Sequence, residues 1–161
     1  MIEFIQTQIA QLPAWLTWLG VLVASAIPFV ESHFGAVLGV VLGFPLPLAI
    51  LLAAAGNLLV VLAIIYLFAG IRERIVDRRG DGTGSARSER RYAKIRARLN
   101  RYGVPGVCLL GQGLVPNQIS AAVLVSMGIA RNRVAFWMTI AIIGWAVALG
   151  TLASLGINVL R

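Results

Sequence analysis

The sequence predicts an all-α integral membrane protein: two re-entrant helical hairpins that enter from opposite sides, each followed by a transmembrane helix, with an amphipathic helix at the N-terminus. Three observations predict it. Residues 4–30, 32–70, 102–130 and 134–160 contain no Asp, Glu, Lys or Arg, and each run exceeds the roughly 20 residues an α-helix needs to cross about 30 Å of hydrocarbon. Charged residues make up 12% of the 161, against roughly 25% in a soluble domain, too few to cover four such runs in water. The apolar stretches 14–43 and 102–130 are broken internally by proline and polar residues, as a plain span is not. None alternates polar with apolar, which argues against a β-barrel, and backbone facing lipid must then be helical.

The charge that exists is concentrated. The net charge is +8 and the pI near 11.3, values that elsewhere suggest nucleic acid. Here eleven of the fourteen basic residues fall between Arg72 and Arg101, between two apolar runs, which is how the positive-inside rule marks a cytoplasmic loop. No nucleic-acid partner is expected. Cys108 is the only cysteine; it excludes an intrachain disulfide and reads as a small core residue. Met1-Ile2-Glu3-Phe4 lacks the basic region of a signal peptide, so no cleavage is expected. The expected organisation is a single membrane domain over 1–161: a first repeat at 1–70, a basic cytoplasmic loop at 71–101 and a second repeat at 102–161.

In residues 1–11, Ile2, Phe4, Ile5 and Ile9 are set among Glu3, Gln6, Thr7, Gln8 and Gln11, a pattern for a helix lying at the membrane interface. Pro13 opens the next segment, and Trp15 and Trp18 suit an interfacial belt. Residues 14–43 are apolar but broken by Pro28 and by Glu31-Ser32-His33. A simple span would set these polar groups at a costly depth. A hairpin descending over 14–27, turning at 28–33 and returning over 34–43 avoids this, since irregular backbone is tolerated beside protein or a watery cavity. Gly35, Gly39 and Gly43 would let the returning arm pack closely.

Residues 46–70 read as a plain transmembrane helix, 25 residues covering about 37 Å. Ala53-Ala54-Ala55-Gly56-Asn57 is a small-residue patch for helix contact near its middle. Gly80-Asp81-Gly82-Thr83-Gly84-Ser85 is a flexible linker and not a phosphate loop, because no Gly-Lys-Ser/Thr follows. Tyr92, Ile95, Leu99 and Tyr102 recur at helical spacing among arginines; a basic amphipathic helix on the anionic leaflet is expected.

Residues 102–130 hold Gln112, Pro116, Asn117, Gln118 and Ser120 and end at Arg131-Asn132-Arg133. A single span would carry those two arginines outside, whereas a hairpin with its tip near 112–120 returns them to the cytoplasmic side. Residues 134–160 form the last span, with Gly144/Ala148 and Gly150/Ser154 placed for close helix contacts. Each half thus reads hairpin, glycine (Gly43, Gly128), span. The first hairpin enters from outside and the second from inside, the inverted-topology repeat of many secondary transporters.

Pro28-Phe29-Val30-Glu31-Ser32-His33-Phe34-Gly35, then Gly43-Phe44-Pro45-Leu46 and Ala55-Gly56-Asn57, resemble the first half of the small multidrug export protein family, which is related to the DedA (VTT-domain) superfamily. Arg101-Tyr102-Gly103 through Pro116 to Gly128 and Trp137 resemble its second half, so the similarity covers roughly 20–150. The resemblance implies two oppositely entering hairpins and transport: export of drug-like or amphiphilic molecules, or movement of phospholipid or polyprenyl phosphate. It carries the family's hairpin glutamate onto Glu31. His33 stands where the family tends to place an arginine, Val115-Pro116-Asn117-Gln118 replaces its Pro-x-Pro-Gly stretch, and the hairpin arginines of DedA proteins have no match before Arg131 and Arg133.

An intramembrane carboxylate is costly and is functional by default, and burial disfavours its charged form, so proton exchange is expected at Glu31. His33, the only histidine, is placed to pair with it or pass protons. Ser32, Gln112, Asn117, Gln118 and Ser120 are the further proton- or substrate-binding candidates. Pro28 and Pro116 mark the hairpin breaks, and Arg131 and Arg133 are candidate headgroup contacts. One His and one Glu make a poor metal site, and no nucleophile–base pair stands out; no metal, cofactor or enzymatic activity is expected. The expected partners are protons, membrane lipids and a small amphiphilic substrate or lipid, with a homodimer as one assembly, in the bacterial inner (plasma) membrane. A structural membrane protein without transport is the third expectation.

Overall fold

A computed structural model describes residues 4, 7, 9, 11, 13, 15–79, 103–112 and 114–160. All regular structure among them is helical. In chain order the helices are α1 (Thr17–Ser25), α2 (Glu31–Val41), α3 (Leu46–Arg79), α4 (103–111), α5 (Asn117–Ser126) and α6 (Arg131–Leu160). Of the N-terminal segment, residues 4, 7 and 9 are helical. The rest of that segment, and residues 80–102 with the Gly80–Ser85 linker and the basic helix expected at 92–102, lie outside the described residues.

Among the described residues, two helices are long and apolar enough to cross a membrane: Leu46–Ile71 with mean hydropathy 2.8, and Arg131–Ile157 with 2.1. Only 39% and 22% of their most apolar windows are buried, whereas the core helix of a soluble domain is mostly covered. Leu51, Leu59 and Leu67 on α3 and Phe136, Leu152 and Leu155 on α6 are all more than half exposed, more apolar surface than soluble monomers leave in contact with water.

Three boundaries differ from the sequence expectation. The helix expected to end at residue 70 runs on to Arg79, because Ile71 to Arg79 contains no proline or glycine and several good helix formers. Arg131 and Arg133, expected before the last span, fall in the first turn of α6. The break expected at 28–33 lies at 26–30, and Glu31 opens α2.

The break follows from Pro28, which has no N–H to continue the α1 ladder. Phe29 and Glu31 take left-handed backbone, φ 72° and 53°, a conformation costing a non-glycine residue about 1–2 kcal/mol. Both short return helices end alike. Gly43 and Gly128 each have φ +89°. Phe44 N–H donates to Gly39 O (3.0 Å) and Gly43 N–H to Val40 O (3.0 Å); Ile129 N–H donates to Leu124 O (3.2 Å) and Gly128 N–H to Val125 O (2.9 Å). These are paired Schellman caps, which need the left-handed residue glycine supplies. α5 starts after Pro116, whose carbonyl accepts from the N–H groups of Ile119 and Ser120 at 3.0 Å.

The chain packs as two compact units, Met1–Val60 with Thr139–Arg161, and Val61–Met138. In the first, α1 packs along α2, and Ile9, Ala24, Val30 and Leu38 form one cluster. Ala36 of α2, Ala53 of α3 and Ala146 of α6 form another, with Ile50 against it. Small residues make the approach close: a Cβ on Gly150 would lie 3.2 Å from Ala36 Cβ, and one on Gly56 would collide with the backbone carbonyl of Leu22. In the second unit, α4 buries Val104, Val107 and Cys108, and α5 buries Ala121, Leu124 and Val125, each at the three-and-four spacing of one helix face.

Candidate functional site

Glu31, Ser32 and His33 occupy the first turn of α2, in the first unit, and all three are buried; Glu31 is 1% exposed. Their position follows from the break. Once Pro28 ends the α1 ladder, the chain restarts at Glu31, and the N-terminus of a helix favours a carboxylate. His33 Nδ1 lies 3.8 Å from Glu31 Oε2, an ion pair when the imidazole is protonated. The imidazole is bracketed by aromatic rings, Phe34 at 4.6 Å and Trp145 of α6 at 6.4 Å between centroids. An acid and a base are thus side by side in apolar surroundings, at a residue held in uncommon backbone geometry. Strain of that kind collects at functional positions.

Ser32 has a different task. Its Oγ donates to Ile142 O of α6 at 2.9 Å, fully buried. The bond takes up a lone pair of a helix carbonyl and ties α2 to α6, so Ser32 positions its two neighbours. Ser32→Ala removes it and is expected to lower stability by about 1 kcal/mol, read as a lower midpoint of thermal unfolding in detergent, with Glu31 and His33 chemically intact.

Gln112, Asn117, Gln118 and Ser120 lie in the second unit, at the end of α4 and on the first turn of α5, and all four are buried. The amide Nε2 and Oε1 of Gln112 have no hydrogen-bond partner. Pro28 lies in the first break and Pro116 at the end of the second. Arg131 stacks over Tyr66 with Cζ 6.0 Å from the ring centroid, within cation–π reach, and Arg133 is exposed. Among the described residues no cluster of three His, Cys, Asp or Glu is arranged to hold a metal.

Two buried polar residues among those described escaped the sequence reading of the site: Ser25, whose Oγ donates to Val21 O at 2.7 Å, and Asn57. Asn57, in the middle of α3, is 0% exposed, and neither Nδ2 nor Oδ1 has a hydrogen-bond partner. The signal was in the sequence: Asn57 is the only amide or charged side chain between residues 46 and 70. Its small neighbours made it look like part of a packing patch. No protein-family model, curated protein or solved structure matches this chain.

Proposed function

We propose that the chain is a small multi-pass membrane transporter that exports amphiphilic small molecules in exchange for protons, with Glu31 as the proton-carrying group. The observation that carries this reading is the buried Glu31–His33 pair at a helix break, 3.8 Å apart, in a chain whose long apolar helices suit a bilayer. An ionisable residue inside a membrane protein marks an ion or substrate path. In this reading α1–α2 and α4–α5 are re-entrant hairpins entering from opposite sides, the basic residues between 72 and 101 keep that part of the chain on the cytoplasmic side, and the matching glycine caps at Gly43 and Gly128 reflect an inverted repeat. The resemblance of Pro28–Gly35 and Ala55–Asn57 to the small multidrug export family agrees with it.

The test uses purified protein in liposomes carrying an imposed pH gradient. A fluorescent amphiphilic amine is expected to move only while the gradient lasts, and a fluorescent phospholipid is expected to stay in its leaflet. Gradient-independent flipping of the phospholipid would replace this reading with a lipid translocase. No movement of either would replace it with a structural role.

A further inference from the structure

Asn57 is costly where it is. A buried amide without partners loses its bonds to water and gains none in return. Packing in the first unit fixes the register of the helices around it. A Cβ on Gly39 would be 2.8 Å from Ala49 Cβ, and a Cβ on Gly35 would be 3.2 Å from Ala53 Cβ. One turn back along α2 matches one turn forward along α3, as in antiparallel helices. The next turn sets Glu31 level with Asn57. Helix α6 joins the same ladder: Gly150 lies against Ala36, Ala146 clusters with Ala36 and Ala53, and Ile142 accepts from Ser32. Three helices therefore bring polar groups to one level: the Glu31 carboxyl and His33 imidazole, the Asn57 amide, and the Ile142 carbonyl already taken by Ser32.

An open apolar cleft of about 630 Å³ runs between α3 and α6 in the same unit, lined among others by Leu46, Ile50, Ala54, Leu58, Ile143 and Val147. From Leu46 to Leu58 it follows α3 for about 18 Å, the length of a medium alkyl chain. Its far end, at Leu58 and Ile143, adjoins Asn57 and Ile142 in sequence.

We propose that the cleft and this polar level form one binding site for an amphiphile whose head carries both a protonated amine and a hydroxyl, an amino alcohol. This rests on the proposed function in taking Glu31, its proton-carrying group, to meet the substrate as well. The carboxylate takes the N–H donors of the amine. The Asn57 amide offers two donors and one acceptor, and a hydroxyl can answer both kinds. An alkylamine without the hydroxyl keeps its bonds to the carboxylate and leaves the amide as it is. The alkyl chain lies in the cleft.

The test is equilibrium binding to the full chain in nanodiscs, corrected with empty discs. The probes are N-dodecylethanolamine and N-dodecylpropylamine, which keeps the protonated amine and carries a methyl in place of the hydroxyl. The wild-type protein is expected to bind the ethanolamine at least about ten-fold more tightly, the worth of one good hydrogen bond. Asn57→Leu is expected to lower N-dodecylethanolamine affinity to that of N-dodecylpropylamine, so that the preference is lost, and to raise the unfolding midpoint of the ligand-free protein. Asn57→Ala is read in the same way if the leucine variant misfolds. Equal wild-type affinities, or a preference that survives loss of the amide, overturn the proposal. No gradient is involved. A preference without gradient-driven transport keeps this site and removes the transporter reading; transport without a preference does the reverse.

Discussion

Glu31→Gln is expected to reduce pH-gradient-driven movement of an amphiphilic amine to the level of protein-free liposomes while leaving the protein folded. Gln keeps the size of the side chain and its ability to accept a hydrogen bond, but it cannot take up or release a proton. In the buried first turn of α2 it also removes the cost of holding a charge away from water, several kcal/mol per ion even when partly compensated. What it loses is the ion pair with His33 at 3.8 Å. These terms oppose each other, so stability should change little, and loss of transport cannot be blamed on unfolding. A second readout separates a proton carrier from a merely polar residue. In the wild type the rate should depend on pH, and in Glu31→Gln any residual movement should not. Glu31→Asp keeps the acid on a side chain one methylene shorter and should restore part of the gradient-driven rate. Gradient-driven transport that survives in Glu31→Gln would remove the proton role from Glu31.

The parts of the fold that were legible in the sequence are those fixed by local chemistry. Uncharged runs at 32–70 and 134–160 announce α3 and α6, because only a helix satisfies its own backbone in an apolar setting. Pro28 and Pro116 announce the breaks, because proline acts through its own backbone. Gly43 was expected to serve close packing, but a Cβ there would meet nothing within 4 Å; with φ +89° it is a left-handed cap. What was not legible depends on neighbours distant in sequence. That Glu31 opens α2 and does not sit within the turn depends on where the ladder restarts after Pro28, which the packing of α1 on α2 decides. Ser32 read as a binding side chain, but its partner is the Ile142 carbonyl, 110 residues away, and no local pattern pairs them. Asn57 was hidden by its own surroundings: alanine and glycine beside a polar residue look the same whether the polar group faces a partner or a site. Only the register of α2 against α3, set by Gly35 and Gly39, puts it level with Glu31.

The same small-residue packing makes the second large effect. Gly56→Ala is expected to destabilise the protein by about 1–3 kcal/mol, the usual cost of overpacking, and Gly56→Leu to prevent folding. A Cβ at position 56 would fall on the carbonyl oxygen of Leu22, with Leu22 C at 2.9 Å and Cα at 3.2 Å. Those are backbone atoms inside α1, so no rotamer change makes room; α1 or α3 has to shift as a body. Gly70 is the internal control. It lies in the same helix, and a methyl added there would meet nothing within 4 Å, so Gly70→Ala adds no clash and gains helix propensity, up to about 1 kcal/mol. One chemical change, made twice in one helix, should therefore move the thermal unfolding midpoint in opposite directions. The contrast removes the effects common to any Gly→Ala substitution, namely the lost freedom of the unfolded chain and the added apolar surface. Equal shifts at the two positions would mean that α1 does not rest on α3 at Gly56. The helix contacts that set Glu31 level with Asn57 would then have to be redrawn as well, because α1 also touches α2 at the next contact, where Ser25 of α1 meets the position of a Gly35 Cβ.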